Sequence, residues 1–185
     1  MQQIDPGFLR PLLKSRSEES HKGDYGHLLV VAGCEAMPGA AVLATGAALK
    51  SGCGLVTLHS TPRALQSAAV NFPSAMLSED PGTCFSLVPE RLDRFDAIAV
   101  GPGLGRQPQT AGALGKLLHE AAALGIPMVL DADALNILSA NPKLMDGIPA
   151  GSVLTPHAGE LQRLVGFDTT EQKEIGIFVL CRRTG

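Results

Sequence analysis

The strongest constraint on the fold is a pairing that recurs along the chain. A short, largely apolar run is followed by a turn bearing glycine or polar groups, and then by a helical pattern. Residues 27–32, 55–59, 95–100, 126–130 and 151–154 are the apolar runs. Runs of this length bounded by glycine and proline read as strands buried on both faces of a parallel sheet. Residues 40–51, 64–70, 110–124, 134–140 and 160–165 read as the helices between and after them. Residues 61–92 are less regular, with a short helix and some extended structure, and 177–181 reads as a last strand with no helix after it. Alternation without internal repeats or low-complexity linkers predicts one α/β domain with a mainly parallel sheet.

Composition narrows the function. Apolar residues make up 45% and charged residues 18% of 185, values that fit a packed globule. With no Trp, one Tyr and six Phe, the core must be built from Ala, Leu and Val, which favours close helix-on-sheet packing. A net charge of -3 supplies no basic field, so nucleic acid is not an expected partner. Cys34, Cys53, Cys84 and Cys181 are widely spaced and form no C-x-x-C, so free thiols in a reducing compartment are expected. The N-terminal residues show neither a signal peptide nor a membrane span, and the expected location is the cytoplasm.

Two nucleotide motifs fail. After Gly101-Pro-Gly103 the third glycine of G-x-G-x-x-G would fall at Arg106, and Gly46–Ser51 has Leu49 where a P-loop needs glycine. Three turns carry more. Met37-Pro-Gly-Ala-Ala41 opens a helix directly after a strand, where free backbone N–H groups and a glycine admit a phosphate or carbonyl. Gly101-Pro-Gly-Leu-Gly105 lets a flat ring lie against backbone. Thr155-Pro-His-Ala-Gly-Glu160 places an imidazole, His157, at a strand end, and Glu160 reads either as a water-mediated Mg²⁺ ligand or as a helix cap. Asp131 and Asp133 carry the same ambiguity, an N-cap being the simple role for one of them. Taken singly each is structural; their recurrence after parallel strands points to one pocket at the strand C-termini.

Six stretches in order resemble the NAD(P)H-hydrate dehydratases of the ribokinase-like superfamily. They are Ser20-His-Lys-Gly-Asp-Tyr-Gly26, Met37-Pro-Gly-Ala-Ala41, Gly52-Cys-Gly-Leu-Val-Thr57, Gly101-Pro-Gly-Leu-Gly105, Leu130-Asp-Ala-Asp-Ala-Leu-Asn136 and Leu154-Thr-Pro-His-Ala-Gly-Glu160. The resemblance implies a three-layer α/β/α fold, spanning 1–185 as a single partial domain with residues 1–19 as an N-terminal extension. It also implies a repair reaction in which ADP or ATP, with Mg²⁺, drives removal of water from the hydrates of NADH and NADPH. Phosphorylating the ring hydroxyl turns a poor leaving group into a good one, and the ring nitrogen then pushes out phosphate.

Carried over by residue, the resemblance puts Gly39, Ala40, Gly103 and His157 on the hydrate. Glu160 falls in the vicinity of Mg²⁺ and phosphate without ligating the metal directly, and Asp131 and Asn136 stand behind the contact residues. It implies a homo-oligomer, a tetramer in the family, and an NAD(P)H-hydrate epimerase as functional partner. The family's lysine–glycine turn and Gly-[Ser/Thr]-Gly-Asp motif, whose aspartate is the catalytic base, do not occur before Gly185. The fold is therefore expected to be incomplete at its C-terminal end through a frameshift or premature stop, with little turnover by this chain alone. The alternatives are a non-catalytic dinucleotide-binding module or degenerate fragment, and a small-molecule kinase of the same superfamily.

Overall fold

A computed structural model describes residues 5–12, 17–166 and 178–180. A one-turn helix α1 (Pro6–Leu9) precedes the sheet. The strands are β1 (His27–Val31), β2 (Leu55–Ser60), β3 (Met76–Glu79), β4 (Ala97–Val100), β5 (Met128–Leu130), β6 (Ser152–Leu154) and β7 (Phe178–Leu180). The helices are α2 (Pro38–Lys50), α3 (Pro62–Asn71), α4 (Pro108–Leu124), α5 (Asp133–Ala140) and α6 (Ala158–Val165). The sheet runs β3-β2-β1-β4-β5-β6-β7, with β1 to β6 all parallel. The seventh strand pairs antiparallel with β6, Val153 opposite Val179.

Side-chain alternation sorts each strand between two cores. Leu29, Val31, Ile98, Val100, Met128 and Leu130 face α4 and α5 and form the larger one. From α4 this core receives Ala113, Leu114, Leu117, Leu118 and Ala121, the i, i+3, i+4 stripe of a helix packed on one side. Val30, Ala32, Val56 and Leu58 point the other way, to Ala41 and Ala48 of α2 and Ala64, Leu65 and Ala68 of α3. The result is the three-layer arrangement that the family resemblance implies.

Coverage of the second face is uneven. Helices α2 and α3 lie over β1 to β3, whereas Ala97, Ala99 and Val153 of β4 and β6 are only partly covered and Val129 of β5 keeps 39% of its surface exposed. A cavity of about 490 Å³ opens here between α2 and the sheet, with Val30, Ala44, Ala47, Ala99 and Val129 in its walls.

Three helices each begin two residues earlier than the hydrophobic pattern indicates, because Pro38, Pro62 and Pro108 occupy the first helical position. Proline fits there, since its missing N–H has no intrahelical partner to lose. Strand β5 is shorter than its apolar run, starting after Pro127. The described part of the predicted last strand is β7; Ile177 and Cys181 lie outside the described residues. Cys34, Cys53 and Cys84 are free thiols, and Cys181 is likewise outside the described set. Among the described residues no helix is long and apolar enough to cross a membrane.

Candidate functional site

In a parallel sheet every strand ends on the same edge, and ligands gather where the strand order reverses direction. Here that point lies between β1 and β4. The turns following them interlock: Gly33 N–H donates to the Pro102 carbonyl at 2.8 Å, and Gly101 N–H to the Val31 carbonyl at 3.2 Å. Gly103, at φ +66°, lies so close to α2 that an added methyl would come 2.6 Å from the Ala40 Cβ and 3.2 Å from that of Met37. Ala40 and Gly103, far apart in sequence, are thus brought together. Gly39 is the open side of the same turn, since a methyl there would meet nothing within 4 Å. Helix α2 starts at this crevice with no side chain capping its first turn.

The turn after β5 reaches both its neighbours. Asp131 Oδ1 accepts the Thr155 hydroxyl at 2.8 Å on the β6 side, and Asp133 Oδ2 accepts the Gly105 N–H at 2.9 Å on the β4 side. Between them Ala132 has φ +47° and ψ −116°. Such a conformation costs an alanine about 1–3 kcal/mol. Neither aspartate is the N-cap of α5: that position is Ala132, and no side chain caps it. The Asp131 carbonyl also explains Gly101, where a methyl would sit 1.8 Å from that oxygen. Asn136 does something different. Its Nδ2 donates to the Ala132 carbonyl at 3.1 Å, and its Oδ1 accepts from Arg163 at 2.9 and 3.2 Å, tying α5 to α6.

After β6 the chain enters α6 through a capping box. His157 is the N-cap: its Nδ1 accepts from Gly159 N–H at 3.1 Å, which leaves the ring proton on Nε2. Glu160, nearly buried, accepts the His157 backbone N–H through Oε2 at 3.0 Å, and its Oε1 lies 3.4 Å from Nε2. The imidazole is nonetheless 63% exposed and can be reached from outside. Glu160 in this geometry serves the helix start. Among the described residues, no three His, Cys, Asp or Glu side chains are grouped to hold a metal ion.

One cluster near this edge is absent from the sequence reading. Asp80, fully buried after β3, accepts the N–H groups of Gly82, Ser86 and Leu87 and the Ser86 hydroxyl at 2.6–2.9 Å. Burial pushes this carboxyl up, but the four hydrogen bonds outweigh it and the net shift is down. His59, buried beside it at 3.6 Å, bonds the Leu87 carbonyl and the Ser78 hydroxyl. Burial lowers its basicity despite the opposing pull of Leu87 and Asp80. The loop so held hands its Thr83 carbonyl to Glu35 N–H at 3.1 Å, while Arg63 takes the Glu35 carbonyl at 3.1 Å. The β1–α2 turn is therefore braced from outside. The signal was present in Asp80-Pro-Gly82, a turn in which the aspartate bonds the N–H two residues on.

Ser20–Gly26 and Gly52–Gly54, by contrast, belong to the opposite edge. Gly54 N–H donates to the Tyr25 carbonyl and Leu55 N–H to that of Gly26, where β1 and β2 begin.

The family model for NAD(P)H-hydrate dehydratase matches residues 28–178, which contain the turns after β1, β3, β4, β5 and β6. The chain belongs to the NAD(P)H-hydrate dehydratase family. It is 39% identical over 180 residues to the bifunctional NAD(P)H-hydrate repair enzyme of Moorella thermoacetica, covering 92% of this chain and 33% of that protein. The ADP/ATP-dependent NAD(P)H-hydrate dehydratase of Bacillus subtilis, co-crystallized with ATP/Mg²⁺, superposes with a TM-score of 0.70 at 29% identity, covering 90% of this chain and 58% of that one. A ribokinase-like superfamily protein of Enterococcus faecalis shares the fold, with a TM-score of 0.72 at 24% identity over 86% of this chain and 55% of the other. This dehydratase-family chain thus spans about a third of the bifunctional relative and just over half of the solved ones.

Proposed function

We propose that this chain recognises the hydrate of NADH or NADPH within an ADP- or ATP-dependent dehydratase that returns it to the working coenzyme. The observation that carries the reading is the crevice at the β1–β4 reversal, where Ala40 and Gly103 touch and Gly39 stays open. Turns from β5 and β6 continue the same edge, and three strand spacings of about 4.8 Å set the β1 and β6 ends roughly 14 Å apart. A ligand spanning the turns after β1 and β6 would be elongated, as a dinucleotide is. On this reading Gly39, Ala40 and Gly103 hold the hydrate against backbone, and His157 offers it the Nε2 proton. Asp131 stands behind them, holding Thr155, and Asn136 sets α6 through Arg163.

When bound, ADP or ATP would supply the phosphoryl group that makes the ring hydroxyl a leaving group, and Mg²⁺ would screen the phosphate charge. Glu160 braces the start of α6, and among the described residues no three His, Cys, Asp or Glu side chains are grouped, so no step of the phosphoryl transfer is assigned to them. We take residues 1–185 as a single partial domain with 1–19 as an extension. An epimerase that interconverts the two hydrate epimers is its functional partner, and a homo-oligomer in the cytoplasm is its setting.

Calorimetric titration with NADH hydrate, with and without ADP or ATP and Mg²⁺, tests the reading. Binding by the wild-type chain is expected, and its absence under every condition overturns the proposal. His157→Asn separates chemistry from folding, because asparagine is itself a strong N-cap. It is expected to melt with the wild type and bind the hydrate about tenfold more weakly, the loss of one hydrogen bond of this kind.

A further inference from the structure

Three glycines in five residues leave the loop 101–105 almost without side chains to set its shape. Gly101, Gly103 and Gly105 all have positive φ, at 137°, 66° and 78°. Leu104 is buried and anchors the middle. The start of the loop is fixed by β1, through the Val31 carbonyl and Gly33 N–H. Its end is held by Asp133, whose Oδ2 takes the Gly105 N–H at 2.9 Å and whose side chain is only 18% exposed. The second oxygen lies 3.9 Å from the Arg106 guanidinium, the next residue of the same segment.

Asp133 can reach that way only because the chain turns sharply between the two aspartates. Ala132 adopts φ +47°, a backbone conformation that side-chain-bearing residues rarely take. Asp131 is thereby directed to Thr155 on one neighbouring strand end, and Asp133 to Gly105 on the other. A strained alanine flanked by two oppositely engaged carboxylates is a device for locking three strand ends at once. Strain of this sort persists only where the surroundings over-determine it.

We propose that Asp133 is a positioning residue that sets the glycine loop 101–105 in the conformation the hydrate meets at Gly103. The inference rests on the functional reading above, and its test is built so that the two can fail separately. Amide hydrogen exchange at Gly105, followed by NMR, reports the loop itself; calorimetry with NADH hydrate reports binding. Wild type is expected to show a protected Gly105 amide. Asp133→Ala is expected to exchange there at least about tenfold faster while Leu114, in the core of α4, is unchanged, and to bind hydrate about tenfold more weakly. Asp133→Asn keeps an oxygen acceptor in place and is expected to recover part of both. Should Asp133→Ala fail to fold, the wild-type and Asp133→Asn comparison decides the matter in the same way.

An unprotected Gly105 amide in the wild type overturns the proposal. So does a folded Asp133→Ala protein that binds hydrate as tightly as the wild type. If the wild type binds no hydrate, the functional reading falls, and the positioning role stands or falls on Gly105 exchange alone.

Discussion

At the scale of single residues, two glycines of the crevice separate packing from recognition. At Gly101 a methyl group would lie 1.8 Å from the Asp131 carbonyl oxygen, with φ at +137°. Gly101→Ala is expected to cost roughly 3 kcal/mol or more in urea unfolding, because neither backbone can yield. Gly39 has no neighbour within 4 Å and sits in an ordinary helical turn, so Gly39→Ala is expected to be as stable as the wild type or slightly more so. Weakened hydrate binding in that variant would mark the pocket rim; unchanged binding would remove Gly39 from it. The buried pair beside β3 supplies a pH signature. His59 is held below its ordinary 6.5 and Asp80 below 3.8, so both contributions to stability are complete above those values. Each is lost as pH falls through the lowered folded-state value. Urea midpoints should therefore decline in two stages on acidification, the first shared by His59 and His27, whose pKa burial also lowers. In His59→Gln the first stage should shrink to the His27 part while the second, set mainly by Asp80, remains.

Among elements, α6 is the most exposed to change at a single position. It has eight residues, and its start depends on the reciprocal bonds of His157 and Glu160. Glu160→Ala should destabilise by about 1 kcal/mol, the usual worth of such a cap. Glu160→Gln, which keeps the acceptor, should unfold within a few tenths of a kcal/mol of wild type. A large change in nucleotide dependence with Glu160→Gln would instead support the phosphate-side role that the family resemblance implies. This helix shows what a pattern can and cannot reveal. Glutamate three residues after a cap position was a legible sign, but a histidine cap is rare enough to read as chemistry. Strand β3 was foreseen only as some extended structure within 61–92, for a plainer reason: it is short, and Met76 and Leu77 are both exposed, so it lacks the buried run that marks the central strands. The strained turn at Ala132 left no trace in the sequence, because positive φ is signalled by glycine or asparagine and not by alanine.

For the whole molecule, the class of fold follows from the alternation of runs, and the neighbours of each strand do not. Nothing in 27–32 or 95–100 says that β1 and β4 pair, yet that pairing makes the crevice. The same sheet carries an unevenly covered face, where Val129 is 39% exposed beside partly covered Ala99 and Val153. Val129→Lys is expected to reduce concentration-dependent association in light scattering, with a stability change within about 1 kcal/mol, because the side chain is not fully buried. An unchanged association profile would show that self-contact lies elsewhere. The strand order has one more consequence, for assembly on the ribosome. After β1, strand β2 joins one side and β3 extends it; β4 joins the other side, and β5, β6 and β7 follow outward in turn. No strand has to be threaded between two that are already paired. The nascent sheet can grow in the order in which its residues emerge, adding each newcomer to a free border without undoing an earlier bond.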